Sequence, residues 1–493
     1  MDLDRMIRRL AEEISGARAK RFVEGISQFD RIQGSPGYDD AIDFVRGRLA
    51  EADVESRVHA FPADGRSKTY EWTSPPAWTA RAGVLRQLEP TERALISFEE
   101  VPQSVVAHSP GGRFEGQLVH VGEGTEAEHY DGIDVRGKVV LARGRASRVE
   151  KAAGARGACA ILVYPDSERA AADHGLVQYV SLFPRADEIP DLIPAFSISR
   201  RSADRLIKDL DRGDVQLGGA IDAKFTDGQL RVLEAWVDGR DPDAGDVVLV
   251  AHLCHPRASA NDNASGSGLL IEIARTMRTL RDEVGYRHGV RFLWVPEFYG
   301  TLPWAAAHVE ELRRARLVVN LDMVGQSPER IGEPLRISRV PNATPSYVNA
   351  CVSGIAARTA ATGSTAPGGS KRPLHWSFDV PSGGSDHLVF AAAPHRLPAM
   401  MIHHDDPYWH TSLDTTDKVD ASRIGQAGIV AAALALLPHV QQEEPFLLLE
   451  WTLAYGIETL ARAAGLSRRM DPPRGRRLLE IALSIEEDRL RDL

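Results

Sequence analysis

The chain has 493 residues, 43% hydrophobic and 26% charged, with a net charge of −10 at pH 7. This is a globular composition with a length prior of about three domains. The acidic balance argues against a nucleic-acid-binding surface, and without a run of about 18 apolar residues no membrane span is expected.

In chain order, residues 4–28 read as helix, Gly34-Ser35-Pro36-Gly37 as a turn, and a second helix follows with Ala41, Phe44, Val45 and Leu49 on one face. Residues 54–61 alternate like a strand, and residues 66–105 read as irregular, with Trp- and Pro-rich turns. From about residue 110 the texture changes. Residues 136–142, 160–164 and 193–198 read as strands around an Ala/Gly-rich helix at 151–158, which suggests an inserted β-rich domain ending near residue 222. From residue 228, short apolar runs at 247–252, 290–295, 317–322 and 399–403 are separated mostly by helices. Leu269, Leu270, Ile273, Met277 and Leu280 fall at helical spacing. That alternation predicts an α/β doubly wound mixed sheet. Residues 420–438 read as an apolar helix, and the tail after Glu443-Glu444-Pro445 as two or three more, with winged-helix type as one alternative, joined by a basic connector. The N-terminus lacks an apolar signal core. Cys159, Cys254 and Cys351 form no disulfide framework or zinc ribbon, so a cytoplasmic location is expected.

The chemistry gathers at the ends of the predicted strands. His252 ends the first, in Ala251-His252-Leu253-Cys254-His255-Pro256, and Asp262 follows in an Asn261-Asp262-Asn263 turn. Glu297 follows the second strand, Asp322 ends the third, and His410 follows the fourth in His410-Thr411-Ser412-Leu413-Asp414. Ligands of open α/β sheets bind at the carboxyl ends of strands. Two imidazoles and three carboxylates on one rim are what a zinc hydrolase needs: ligands, plus one unligated carboxylate as general base. Taken singly, each has a blander role. His252 could be structural, Asp262 a turn or cap residue, and Asp322 an arginine partner. The ordered set points to a metal site.

With these motifs the chain resembles the zinc aminopeptidases, including bacterial leucyl-type aminopeptidases, glutamate carboxypeptidase and glutaminyl cyclases, over residues 1 to about 440. Arg31-Ile32-Gln33-Gly34-Ser35-Pro36-Gly37-Tyr38 matches the family's N-terminal segment. The resemblance implies a catalytic domain at 1–108 and 223–440, a protease-associated-like insertion at 109–222, and a C-terminal helical module at 441–493. It also implies that His252 and Asp322 hold one zinc, that Asp262 bridges, and that His410 holds a second. Glu297 would be the general base, and Asp414 would orient His410. Ser385-Asp386-His387 matches a family loop near the substrate pocket. No nucleophile-elbow pattern surrounds Ser385, which disfavours a serine hydrolase.

Two positions depart from the family pattern. Phe298 stands where a second Glu would bind the second zinc, and Cys254 where an Asp would orient His252. The departures imply one zinc, a weak second site, or entry of His255, Cys254 or Glu297 into the metal shell. Strand alternation disfavours an inward His255, so a supporting or substrate-facing histidine is expected there. A small buried packing residue is expected at Cys254. His403-His404-Asp405-Asp406 reads as a strand end followed by a solvated loop. Trp376, Phe378, Tyr408 and Trp409 are candidates for a side-chain pocket.

The expected activity is zinc-dependent hydrolysis of a peptide or amide bond, removing an N-terminal residue, with one or two zinc ions per chain. The partner is a peptide or small amide. No nucleic acid or membrane is expected, and a homo-oligomer is compatible. A cyclase-like or specialised amidase, or a non-catalytic peptide-binding scaffold, are the alternatives.

Overall fold

The computed structural model describes residues 1–493. At its centre is an eight-stranded sheet: β1 (Glu55–Ala63), β2 (Gly228–Val237), β3 (Asp246–His252), β4 (Gly289–Val295), β5 (Leu317–Leu321), β6 (Leu335–Ser338), β7 (Trp376–Asp379) and β8 (Ala399–His403). Their spatial order is β1-β2-β4-β3-β5-β8-β6-β7. The four central strands β4, β3, β5 and β8 are parallel, while β2 joins β4, and β6 joins β8, antiparallel. From β3 the chain moves to one side for β4 and then to the other for β5. The carboxyl end of β3, where His252 sits, is therefore a topological switch point, where such sheets open a crevice for ligands.

The central strands are mostly apolar because both faces are covered. Leu249 and Ala251 join the core formed with the N-terminal helices and with helices Gly266–Leu280 and Ala421–Ala435. Val248 and Val250 face the opposite layer with Trp304 and Phe390. Leu269, Leu270, Ile273, Met277 and Leu280 are all buried, as their spacing predicts. The first predicted helix is two, Leu3–Glu13 and Gly16–Ile26. Ser15 caps the second by accepting from the Arg18 N–H at 3.2 Å.

A second sheet of seven strands runs Arg93–Ser97, Ala77–Glu89, Gln216–Thr226, Gly112–His120, Val139–Ala142, Ala160–Val163, Ala195–Ser197. The sequence places the start of this unit at residue 109 and leaves 66–105 irregular, yet Ala77–Glu89 and Arg93–Ser97 hydrogen-bond into its sheet. A bulge opposite Asp222/Ala223 breaks the register between Ala77–Glu89 and its partner, and with it the two-residue alternation that would have revealed the strand. The chain ends in two helices, Pro445–Ser467 and Pro472–Asp492, that pack on each other. No strand accompanies them, so the expected winged-helix character gives way to a helical hairpin.

Candidate metal centre and active site

The loop after β3 is built from side chains that hold backbone. Asn261 donates to Asp406 Oδ2 (2.7 Å) and accepts from the Gly325 N–H (2.9 Å). Asn263 donates to the Leu321 carbonyl (2.8 Å) and accepts from the Gly266 N–H (2.9 Å). Gly266 is required here, since a Cβ would stand 2.2 Å from the Leu321 carbonyl oxygen. The two asparagines thus pin the turn to the segments after β5 and β8, leaving Asp262 between them to face the crevice. Asp414 does not orient His410 as expected. Its two oxygens accept from the backbone N–H groups of Asn261 (2.7 Å) and Asp262 (2.9 Å), so it positions Asp262. Asp406 is buried in this network and not part of a solvated loop.

Around Asp262 the predicted ligands converge. His252 Nε2 lies 3.2 Å from Asp262 Oδ1 and 3.4 Å from Asp322 Oδ1, and His410 Nε2 lies 3.1 Å from Asp262 Oδ2. His255 also points inward, with Nδ1 3.2 Å from Asp262 Oδ1. Two ligands about 2.0–2.1 Å from a tetrahedral zinc stand about 3.3–3.4 Å apart, which matches these separations. Asp322 Oδ1 and His255 Nδ1 are buried without a hydrogen-bond partner, an arrangement that costs energy unless something else satisfies them. Imidazoles and carboxylates at this spacing fit zinc. By contrast His59, Glu234 and His308 also cluster, but Arg57 and Arg291 neutralise Glu234, which explains that group as an ion-pair network.

Glu297 follows β4 in a turn that presents its carboxylate within 4.8 Å of a ring nitrogen of His252 and of His255 and of the Cys254 sulfur. Asp386 Oδ1 holds this turn, accepting from the Phe298 N–H (2.8 Å) and the Thr301 hydroxyl (2.6 Å). It is therefore a support and not a pocket residue, and His387 is likewise buried, bonded to the Ser382 carbonyl at 2.9 Å. Burial lifts Glu297 well above the usual carboxylate range, the Asp386, Asp322 and Asp262 carboxylates adding to this and His252 opposing it. Burial opposes a charge on His252, but Glu297, Asp322 and Cys254 outweigh it and raise His252 well above the ordinary imidazole value.

Cys254 is more than a packing residue. Its Sγ is 3.5 Å from His252 Nδ1 and accepts from the Glu297 N–H (3.3 Å) and the Gln33 side-chain amide (3.6 Å). With Nε2 committed to a metal, the remaining His252 proton would sit on Nδ1 and point at sulfur. Cys254 thus fixes the ring and the Glu297 turn together. Cys254→Ala is expected to weaken metal affinity about 10–100-fold, read by competition with a coloured chelator; unchanged affinity would show that the sulfur only fills space.

The centre opens into a cavity of about 540 Å³ between the two sheets. Its aromatic wall comprises Trp72, Tyr164, Tyr179, Phe183, Phe298 and Tyr299, not the predicted group of Trp376, Phe378, Tyr408 and Trp409. Trp376 and Phe378 pack against the main core. Phe298 stacks on Trp72 at 5.3 Å and 16°, and Phe183 meets Tyr299 at 5.5 Å. Tyr179 and Phe183 come from the second sheet's unit, which also clamps the His410 loop. The Tyr179 N–H donates to the His410 carbonyl (2.7 Å), and the Ser412 N–H to the Val177 carbonyl (2.8 Å). Local sequence could not assign these residues to the site, because their partners lie more than 100 positions away.

The chain shares 26% identity over 330 residues with aminopeptidase YwaD of Bacillus subtilis, covering 63% of this chain and 64% of that one. It shares 28% over 132 residues with a putative polysaccharide biosynthesis protein with aminopeptidase-like domain from Clostridium acetobutylicum, 27% of each. The matches thus span about a quarter of one of these curated relatives and just under two thirds of the other. The fold matches a zinc aminopeptidase structure from Bacillus subtilis with a TM-score of 0.61 at 19% identity, covering 86% of this chain and 95% of that one. The pattern described as Domain of unknown function (DUF4910) matches residues 21–367. The chain is therefore a member of that family, built on the fold of the zinc aminopeptidases.

Proposed function

We propose that this protein uses zinc to hydrolyse a peptide bond and release the N-terminal residue of a short peptide. The observation that carries this reading is the ring of His252, Asp322, Asp262 and His410 donor atoms, spaced as zinc ligands, with the unligated Glu297 beside it at the cavity floor. Zinc would be held by His252, Asp262 and Asp322, with His410 on the other oxygen of Asp262, and would supply Lewis acidity, polarising the scissile carbonyl and making water nucleophilic near neutral pH.

The chain's own residues do the rest. Glu297, with its proton affinity raised by burial, takes the proton of the attacking water and passes it to the leaving amine nitrogen. Asp386 and Cys254 keep the Glu297 turn in place. Trp72, Phe183, Phe298 and Tyr299 form an apolar wall that excludes water and accepts a large apolar side chain. The cavity lies in the size range of small-ligand sites, and the unit carrying Tyr179 closes it from above, limiting substrates to short peptides.

The test is a library of short peptides varied at the first residue, assayed with and without chelator. Free amino termini with large apolar first residues should be cleaved fastest, chelation should abolish turnover, and zinc should restore it. Equal cleavage of N-acetylated peptides would overturn the aminopeptidase reading. Turnover that survives exhaustive chelation would overturn the role of zinc.

A further inference from the structure

We infer that His255 replaces the missing glutamate and completes a second cation site, with His255 and His410 as nitrogen donors and Asp262 as the shared carboxylate. The inference rests on the zinc reading above and extends it to a two-ion centre of altered donor set. Phe298 removes the carboxylate that would otherwise bind there, and its ring is committed to Trp72 on the cavity wall. The opposite side of the centre supplies the compensation.

Strand alternation would turn His255 away, but β3 ends at His252 and the chain twists before His255. His255 takes φ 109°, a region that non-glycine residues rarely occupy and that persists only where the surroundings enforce it. Arg31 enforces it. The Arg31 N–H donates to the His255 carbonyl (2.9 Å), the His255 N–H donates back to the Arg31 carbonyl (3.0 Å), and the buried Arg31 guanidinium donates to the Leu253 carbonyl (2.7 Å) and the Ser259 carbonyl (3.2 Å). This clamp spans the segment on both sides of His255 and swings its ring inward, 4.9 Å from the ring of His252 and 4.8 Å from that of His410.

Donor atoms of His255, Asp262 and His410 lie within 4.8 Å of one another, and so, separately, do those of His252, Asp262 and Asp322. Asp262 is common to both sets. Its Oδ2 faces His410 at 3.1 Å and its Oδ1 faces His252 and His255 at 3.2 Å each. The side chain of His255 is only 7% exposed, and its Nδ1 has no hydrogen-bond partner despite standing 3.2 Å from a carboxylate oxygen. An aimed, unsatisfied imidazole nitrogen at ligand spacing is explained by a cation between it and Asp262. Two imidazoles and one shared carboxylate suit zinc or cobalt and are poor for magnesium or manganese, which favour oxygen donors.

The experiment measures bound metal, not turnover. Wild type, His255→Ala and His255→Asn are loaded with zinc, desalted and assayed for zinc per chain by elemental analysis. Cobalt loading is followed in parallel by visible absorption. The expected result is two ions in wild type and one in each variant, with loss of one cobalt band set and no binding of manganese at the second site. Unfolding of the variants in excess chelator should match wild type, which shows that the fold is intact. Two ions retained in both variants, or one ion in wild type and in the variants alike, overturns the assignment of His255 while leaving the zinc reading in place. A wild type that takes up no zinc overturns both. Loss of both ions in the two variants overturns a separate second site.

Discussion

Glu297→Gln is expected to lower kcat by about 10²–10⁴-fold, the usual loss when a positioned proton acceptor is removed, while leaving bound zinc unchanged. The substitution is close to isosteric. The turn that presents residue 297 is held by backbone contacts, the Glu297 N–H to Cys254 Sγ and the Phe298 N–H to Asp386, which an amide side chain does not disturb. What changes is the capacity to take a proton. Glu297 is half-buried beside His252 with other carboxylates close by, so its affinity for a proton is high for a carboxylate; an amide has none. The loss should fall on kcat more than on KM, because the substrate wall of Trp72, Phe183 and Tyr299 is untouched. The decisive pairing is steady-state kinetics with elemental analysis on the same preparation. A variant that keeps more than a tenth of wild-type kcat shows that the base lies elsewhere. A variant that loses zinc shows that Glu297 is a ligand, the alternative that Phe298 raises in the sequence.

Much of this site was legible in the sequence, for a physical reason. The parallel strands are buried on both faces, so each appears as a mostly apolar run, and a polar residue at or just past its carboxyl end marks the rim. His252 and Asp322 stand out on that basis, Asp262 and Glu297 join them through the ordered set of motifs, and the structure brings them together with His410. What stayed hidden was set by backbone geometry and by distant partners. The inward turn of His255 depends on a positive φ imposed by Arg31, a residue 224 positions earlier in the chain. The family resemblance implied that Asp414 orients His410, yet its carboxylate caps the Asn261-Asp262 backbone. The aromatic wall was misassigned because half of it, Tyr164, Tyr179 and Phe183, comes from loops of the second sheet's unit that only the tertiary fold brings to the crevice. Phe298 and Cys254 appeared in the sequence as losses. In the structure one becomes wall and the other a hydrogen-bond hub.

Asp262→Asn is the other substitution with a large expected effect, and its readout is stability. Asp262 is the only residue shared by both donor sets, and its oxygens face His252, His255 and His410. Burial alone would favour its protonated form, but the surrounding imidazoles hold its carboxyl well below the usual range, so it stays an anion. An amide at this position keeps the loop intact, since the bonds to Asp414 use the residue 262 N–H and the turn is pinned by Asn261 and Asn263. It removes the charge that two adjacent cations would share. A ligand that binds only the folded state stabilises it by about 4 kcal/mol at a thousandfold excess over its Kd. Zinc at that excess should therefore raise wild-type unfolding free energy by at least about 4 kcal/mol per site relative to chelator, and that of Asp262→Asn by less than about 1 kcal/mol. Urea titrations of both proteins, with zinc and with chelator, give the four values needed, and the difference of differences cancels any change in the metal-free fold. An undiminished zinc-dependent shift in the variant would mean that the ion is held without Asp262, and the shared-carboxylate centre would fall with it.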